Sequence, residues 1–122
     1  MLSPKFLELA RKRCRESKDR FLVGAVLIKG GKVIASGHNQ VDRDLTGRPV
    51  RSIHAEEYIL KRAGNLAKGA KLMVIRMRRS DGVLAISKPC LWRCMPLIQE
   101  AGIERIVYVD INGVICEERV YC

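Results

Sequence analysis

Residues 21–36 read FLVGAVLIKGGKVIAS, and this stretch decides the fold class. Phe21 to Ile28 is a nearly continuous apolar run, interrupted by Gly24, which is typical of a buried strand. Gly30-Gly31 predicts a tight turn, after which Lys32 to Ser36 returns as a second strand. The stretch therefore predicts a β-hairpin that lies within a sheet.

Helical and strand patterns follow one another on both sides of this hairpin. A first helix precedes it, from the Ser3-Pro4 start to about Ser17, and the polar residues from Gly37 to Val50 predict a long loop. The later segments predict a helix (about Ser52 to Ala63), a strand (Leu72 to Met77), a short segment (Val83 to Ile86), a helix (Cys90 to Ala101), a strand (Ile106 to Val109) and an edge strand or loose tail (Val114 to Val120). This order predicts an α/β fold, with a mixed sheet of about five strands and helices on both faces.

The composition is that of a globular protein. The 122 residues suit one domain, so residues 1–122 are predicted to form a single unit. With 48% hydrophobic and 30% charged residues, the chain is not expected to be disordered. No apolar run approaches the roughly 20 residues that span a bilayer, and charge appears too early, at Lys5, for a signal peptide. We expect a soluble, cytoplasmic protein that does not associate with membranes.

Charge and cysteine content narrow the function classes. Lys and Arg number 23 against 13 Asp and Glu, a formal charge of +10, which favours an anionic partner such as nucleic acid or a nucleotide. Solubility alone is the other explanation of this surplus. The five cysteines are an odd count that suits a reducing compartment, where Cys is more often a ligand or nucleophile than half of a disulfide. Cys14, Cys116 and Cys122 show no pairing pattern and are predicted to be free thiols.

Three polar clusters stand at the ends of predicted elements. They are Gly37-His38-Asn39 after the second strand, His54-Ala55-Glu56 at one helix start, and Ser87-Lys88-Pro89-Cys90, followed by Cys94, at another. Each cluster alone is weak, because a lone His or a pair of cysteines is more often structural. Their order is informative, since His-x-Glu is followed about 35 residues later by Pro-Cys and a second Cys.

This arrangement resembles the zinc-dependent cytidine/deoxycytidylate deaminase superfamily, whose signature is H-x-E followed by P-C-x-x-C. The resemblance spans about Phe21 to Val109 and is closest to small phage-like and bacterial-like deaminases that read S-K-P-C. It implies a three-layer cytidine-deaminase-like fold and a Zn²⁺ cofactor. The ligands that it implies are His54, Cys90 and Cys94, which leave the fourth position open as a catalytic zinc requires.

The two cysteines depart from the family spacing. Leu91, Trp92 and Arg93 separate Cys90 from Cys94, where the commonest pattern has two residues. If both cysteines lie on one helix, positions i and i+4 share a face and can share one ion. A helix N-terminus would also favour the thiolate form.

The resemblance assigns roles to further residues. Glu56 is expected to carry protons from water to the ring nitrogen and then to the departing amine, whereas its structural alternative is a first-turn glutamate that stabilises the helix dipole. The resemblance implies substrate contacts from Asn39 (sugar), Ala55 (backbone to base) and Ser87 (base edge), with a turn residue as the alternative for Asn39 and a strand-end residue for Ser87. Independently of the resemblance, the aromatic side chains suggest that Trp92 stacks on a flanking base and that Tyr108 lies at the pocket edge, with packing in a core or interface as the alternative for both. Basic residues add candidate phosphate contacts, which are Arg43, Arg48 and Arg51 in and directly after the predicted loop. Arg76 and Arg78, on one strand face, are candidates for a phosphate contact or a subunit contact.

These observations favour hydrolytic deamination of a nucleobase, cytosine before adenine, in single-stranded DNA or RNA. Two alternatives stay open. One is a free cytidine or deoxycytidylate deaminase, and the other is a non-enzymatic nucleic-acid-binding module with a structural zinc and Cys116 as fourth ligand. Members of the superfamily commonly associate, which leaves a homo-oligomer open.

Overall fold

The computed structural model describes residues 4–18, 21–89 and 93–120. They form three α-helices, one short 3₁₀ helix and eight strands. In chain order the elements are α1 (Pro4–Glu16), β1 (Leu22–Lys29), β2 (Lys32–His38), β3 (Gln40–Arg43), β4 (Pro49–Ile53), α2 (Ala55–Ala63), a short 3₁₀ helix (Gly64–Ala67), β5 (Lys71–Met77), β6 (Leu84–Ala85), α3 (Cys94–Glu100), β7 (Arg105–Val109) and β8 (Ile115–Arg119).

The main sheet has six strands, in the order β2-β1-β5-β7-β8, with β6 paired to β5. β5 and β7 run parallel, and the other neighbours are antiparallel. The mixed sheet is therefore confirmed, with one strand more than expected because Leu84–Ala85 folds back onto β5. Since β5 and β7 are parallel, their carboxyl ends meet at one edge of the sheet.

Helices cover both faces of this sheet. Alternate residues of β1 and β5 point to opposite sides, so each strand contributes to two cores. The first core packs α1 against the sheet (Phe6, Ala10, Cys14, Val26, Met73, Ile75), and the second packs α2 and α3 against its other face (Ala25, Leu27, Ile59, Leu72, Val74, Ile98). The three-layer prediction is confirmed. Within the described residues, no helix is long and apolar enough to cross a membrane.

Gly24 interrupts the apolar run of β1 because α1 lies directly over it. A Cβ atom at this position would stand 2.3 Å from the Ala10 carbonyl oxygen and 2.9 Å from the Cys14 amide nitrogen. Both are backbone atoms of a packed helix and cannot move aside easily. The glycine therefore permits the close approach of α1 to the sheet.

The predicted loop from Gly37 to Val50 is wrong. β2 continues to His38, and β3 and β4 pair as a separate two-stranded antiparallel sheet. The Asp44 carboxylate closes the turn between them by accepting hydrogen bonds from the Thr46 and Arg48 amides. Both strands are largely exposed, so they lack the apolar alternation that marks a half-buried strand.

The prediction that the later helix begins at Cys90 is also wrong. α3 begins at Cys94, and Arg93 before it has φ −120° and ψ −55°, outside the helical range. Residues 90–92, which include Cys90 and Trp92, lie outside the described residues. The expectation that Cys90 and Cys94 share one face of a helix therefore fails, because Cys94 is itself the first helical residue.

Candidate active site

Three side chains with metal-binding atoms meet where α2 and α3 begin. His54 is the residue immediately before α2, Glu56 lies in its first turn, and Cys94 opens α3. His54 Nδ1 stands 3.1 Å from Cys94 Sγ, and the ligand atoms of all three residues lie within 4.8 Å of one another. The structure thus brings together three of the four residues to which the sequence assigns metal or proton chemistry.

The backbone at the start of α2 explains how His54 and Glu56 reach the same space. Residues two apart in mid-helix point to opposite sides. His54 instead has φ −70° and ψ 150°, an extended conformation, so its side chain is not bound by helical geometry. The two side chains can therefore converge in front of the helix end.

The donor set suits zinc. An imidazole nitrogen and a thiolate sulfur are usual ligands, and at bond lengths of about 2.0–2.3 Å two ligands of a tetrahedral zinc stand about 3.5 Å apart. The separation of His54 Nδ1 and Cys94 Sγ, 3.1 Å, is close to this value. The residues present fit the ion, and Cys90, outside the described residues, stays the predicted third ligand.

Glu56 is 5% exposed and faces this cluster. Burial raises the pKa of Glu56, although a hydrogen bond with Cys94 and the charge of His54 act in the opposite direction. A carboxyl in this position holds its proton more firmly than an exposed glutamate does.

A cleft of about 290 Å³ opens beside the cluster. Of the residues predicted to bind substrate, it is lined by Asn39, Ala55 and Ser87. Tyr108 packs instead in the core beneath α2 and α3, where its hydroxyl donates a hydrogen bond to Glu118. That bond raises the pKa of Tyr108 to about 12.

The polar atoms of Asn39 and Ser87 make strong internal hydrogen bonds. Asn39 Nδ2 donates to the Phe21 carbonyl at 2.7 Å, and its Oδ1 accepts from Ser17 Oγ at 2.7 Å and from the Val23 amide at 3.1 Å. Ser87 Oγ donates to the Val74 carbonyl at 2.7 Å and accepts from the Val109 amide at 2.8 Å. Both residues therefore fix the cleft wall through the sheet, and their contact with substrate stays a prediction.

Two cations also line the cleft. The Arg76 guanidinium lies over the Phe21 ring, 4.3 Å from its centre, and Lys88 lines the same cleft. Within the described part of the chain, no carboxylate forms an ion pair with Arg76. Arg78, predicted to share a role with Arg76, is paired with Asp81 in the adjoining turn.

Sequence reasoning missed an ion pair that joins the two helix starts. Arg93 contacts the Glu57 carboxylate at 2.6 Å, and Glu57 in turn accepts a hydrogen bond from the His54 amide at 3.2 Å. Burial acts to raise the pKa of Glu57, but the His54 amide and Arg93 outweigh it and hold that pKa below its usual value. Each residue alone looks like an ordinary charged residue, so no local pattern indicates the pair.

Comparison with known families shows which family this chain belongs to. Residues 3–110 match the family described as the cytidine and deoxycytidylate deaminase zinc-binding region. The chain belongs to this family. It is thus a zinc-binding domain of the deaminase family, and zinc is its cofactor.

Relatives of this deaminase domain differ in length. The riboflavin biosynthesis protein RibD of Aquifex aeolicus (strain VF5) is 32% identical over 111 residues, which cover 87% of the chain and 26% of RibD. The chain therefore spans about a quarter of that curated relative.

Solved deaminases show the same fold. A cytidine deaminase from Burkholderia pseudomallei superposes with a TM-score of 0.70 at 21% identity, covering 98% of this chain and 94% of that one. The dCMP deaminase of cyanophage S-TIM5 in apo form gives a TM-score of 0.63 at 22% identity, covering 93% and 90%. At these identities the likeness concerns the fold.

The alternative of a closed structural zinc site with Cys116 as fourth ligand finds no support in this deaminase domain. The cluster within the described residues comprises His54, Glu56 and Cys94. Cys116 Sγ lies against Asp110 instead, at 3.4 Å from a carboxylate oxygen.

Proposed function

We propose that this domain deaminates the cytosine base of a phosphate-bearing substrate by hydrolysis, giving uracil and ammonia. One observation carries the proposal: His54 and Glu56, whose metal-binding atoms lie within 4.8 Å of those of Cys94, line a cleft whose wall also holds Arg76, a cation that forms no ion pair with any carboxylate of the described residues. One cavity can therefore provide both the groups that deaminate the base and a cation that binds its phosphate.

The reaction needs a nucleophile, a proton carrier and a dry, shaped pocket. His54, Cys94 and the predicted ligand Cys90 would hold the zinc ion, which would supply a water that is nucleophilic near neutral pH. Glu56 then takes a proton as water adds to C4 of the base and passes it to N3. It next takes the proton of the new C4 hydroxyl and delivers it to the amino group, which leaves as ammonia while the C4 carbonyl forms. Water and cytosine are consumed and uracil and ammonia produced, so the atoms balance.

Residues of the cleft wall would hold the base for this transfer. Ala55 is fully buried as the first residue of α2 and is among the residues that line the cleft, which supports the predicted contact with the base. Asn39 and Ser87 are fixed by their hydrogen bonds to β1, β5 and β7, so their positions are set before substrate binds. Preorganised walls of this kind favour a single orientation of the base.

Arg76 supports a substrate that carries phosphate. Its guanidinium is held against Phe21 by a cation–π contact, which fixes its plane without neutralising its charge. Arginine in this state suits bidentate contact with a phosphate group. Lys88 adds a second positive charge, partly offset by Glu118 at 3.9 Å.

The substrate could be a polynucleotide or a free nucleotide, and different observations favour each. The charge of +10 and the arginines of the exposed β3–β4 hairpin (Arg43, Arg48, Arg51) favour single-stranded DNA or RNA. The family's deoxycytidylate branch and the likeness to a cyanophage dCMP deaminase favour a free nucleotide. Trp92, predicted to stack on a flanking base of a polynucleotide, lies outside the described residues.

The experiment that decides is a substrate panel. The zinc-loaded protein is incubated with cytidine, deoxycytidylate, single-stranded DNA, RNA and transfer RNA, and uracil or inosine is quantified. Turnover on deoxycytidylate or on a single strand, and weaker turnover on cytidine, is the expected result. A polynucleotide substrate is expected to lose affinity steeply as salt rises. Absence of product from every cytosine substrate would overturn the proposal, and inosine alone would replace cytosine by adenine.

The cytoplasmic location that the sequence predicts, and the homo-oligomer that it leaves open, stay untested. Sedimentation of the zinc-loaded protein at several concentrations tests the second.

A further inference from the structure

The three-residue spacer between the cysteines ends in Arg93, and this residue contacts both flanks of His54. Its Nη2 atom donates to the Ser52 carbonyl at 2.6 Å, two residues before His54. The same nitrogen stands 2.6 Å from Glu57 Oε1, three residues after His54. One guanidinium thus joins the start of α3 to the chain on both sides of the start of α2.

Glu57 extends this connection to His54 itself. Its Oε1 accepts a hydrogen bond from the His54 backbone amide, so the carboxylate that binds Arg93 also holds the His54 backbone. The Glu57 side chain is 7% exposed, whereas that of Arg93 is 39% exposed. A buried carboxylate with two such partners is held in one place more firmly than a surface ion pair.

We propose that Arg93 and Glu57 are positioning residues that set the distance between His54 and Cys94 and thereby the zinc affinity of the site. Arg93 directly precedes Cys94 in the chain, and Glu57 accepts a hydrogen bond from the His54 amide. The Arg93–Glu57 ion pair therefore connects the backbones of the two metal-ligating residues. Residues that orient metal ligands in this manner typically change metal affinity by about 10- to 100-fold when removed. The inference rests on the zinc site, and no part of it depends on which base is deaminated.

The chain offers a matched control. Arg51 also contacts the Glu57 carboxylate, 3.4 Å from Oε2, with a side chain that is 50% exposed. Arg51 belongs to β4 and, among the described residues, contacts Glu57 and makes no link to α3. Its removal therefore takes one positive charge from the same carboxylate and leaves the bridge intact. A purely electrostatic role of the pair would make Arg51 and Arg93 alike, whereas a positioning role separates them.

The test measures the affinity of the purified chain for Zn²⁺ alone, by competition with a chelating dye. Arg93→Ala is expected to weaken zinc binding by about 10- to 100-fold, and Arg51→Ala by less than about threefold. Arg93→Lys is expected to recover part of the loss, because an ammonium can pair with Glu57 but lacks the planar fork of a guanidinium. Glu57→Gln, which keeps the side-chain shape, is expected to weaken binding as Arg93→Ala does, and the double variant to be no worse than either single one.

Two further readouts separate positioning from general damage. The visible spectrum of the Co²⁺-loaded protein reports ligand geometry, and we expect it to change in Arg93→Ala and to match the parent in Arg51→Ala. The unfolding temperatures of the metal-free variants are expected to agree with each other. Wild-type zinc affinity in Arg93→Ala, or equal losses in Arg93→Ala and Arg51→Ala, would overturn the proposal; if Arg93→Ala does not fold, Glu57→Gln decides in the same way. Because no substrate is used, a failure here is distinct from a failure of the deaminase assay.

Discussion

His54 Nδ1 and Cys94 Sγ stand 3.1 Å apart, although 40 residues separate them in the chain. The sheet accounts for this proximity. α2 and α3 pack on the same face of the sheet, and their first turns meet, so the residue at each helix start reaches a common point. A metal site built in this way depends on the relative position of two helices more than on any single loop.

The clearest separation of roles within the cluster is between His54 and Glu56. His54→Ala is expected to abolish tight zinc binding, whereas Glu56→Gln keeps the metal and loses turnover by at least about 100-fold, since an amide cannot carry the proton. Metal content by mass spectrometry and product formation are measured on the same samples.

The chain has one other histidine, His38, and it provides the control. His38 Nδ1 contacts the Asn39 carbonyl and lies outside the cluster, so His38→Ala is expected to retain zinc. If Glu56→Gln also retained full turnover, the assignment of the proton carrier would be wrong.

Arg76 is expected to discriminate between substrates with and without phosphate. Arg76→Ala should raise the KM for deoxycytidylate about tenfold or more and leave the KM for cytidine nearly unchanged, because the guanidinium is assigned to the phosphate alone. Arg78→Ala is the control, since Arg78 is exposed and already paired with Asp81. An equal change for both substrates would mean that Arg76 shapes the cleft and does not bind phosphate.

Much of the fold follows from local pattern. The buried hairpin, the helices and the parallel strand pair all carry apolar periodicity, because each packs one or two faces into a core. The β3–β4 hairpin was missed because its strands are exposed and are closed by the polar bonds of Asp44, which give no periodic signal.

The residues of the site likewise fall into those that a local motif predicts and those that depend on distant partners. His54 and Glu56 were predicted from a short motif at one helix start, where spacing alone limits the geometry. The start of α3 was misplaced because the conformation of Arg93 depends on partners in β4 and α2, far away in sequence. The sequence places Arg76 and Arg78 together on one strand face as candidate phosphate contacts, but only the fold shows that Arg76 faces the cleft beside Phe21.

Ser87 joins β5 and β7 at the edge of the sheet where the cleft lies. Ser87→Ala removes a donor to the Val74 carbonyl and an acceptor for the Val109 amide, both in a buried environment, so we expect a loss of about 1–3 kcal/mol in the free energy of unfolding. Urea unfolding of the metal-free protein measures it. Ser80→Ala, at an exposed turn position, is expected to change stability by less than about 0.5 kcal/mol. Equal stability of the two variants would show that these bonds do not hold the cleft wall.

Gly24 and Gly37 offer a paired test of helix packing. Gly24→Ala places a methyl group against backbone atoms of α1, and we expect a loss of about 3 kcal/mol or more, or failure to fold. At Gly37 a Cβ would meet the Tyr58 ring at 2.6 Å, but a side chain can rotate away, so the expected loss is smaller. Thermal unfolding of both variants under identical conditions ranks them, and the reverse order would contradict the packing described for α1.

Cys14 is expected to make the fold sensitive to alkali. Its thiol is fully buried and donates a hydrogen bond to the Ile75 carbonyl at 3.5 Å. Burial raises the pKa of Cys14 to about 12. A hydrogen bond with Gly24 and the charges of Arg11 and Arg15 act to lower this pKa but do not outweigh the burial. The unfolded thiol has a pKa of about 8.5, so the stabilisation is fully present below that pH and is lost as pH rises toward the folded value.

The free energy of unfolding is therefore expected to fall by at most about 1.4 kcal/mol per pH unit above pH 9. The pKa of Tyr108 in the folded protein is also raised to about 12. Tyr108 contributes to the pH dependence only above its unfolded pKa of about 10, so between pH 9 and 10 the pH dependence comes from the thiols. Urea unfolding at half-unit steps across this interval is compared between the parent protein and Cys14→Ala. Cys14→Ala is less stable at neutral pH because it leaves a small cavity, but its stability should fall less steeply with pH. Identical slopes in the two proteins would show that Cys14 is not the group that titrates.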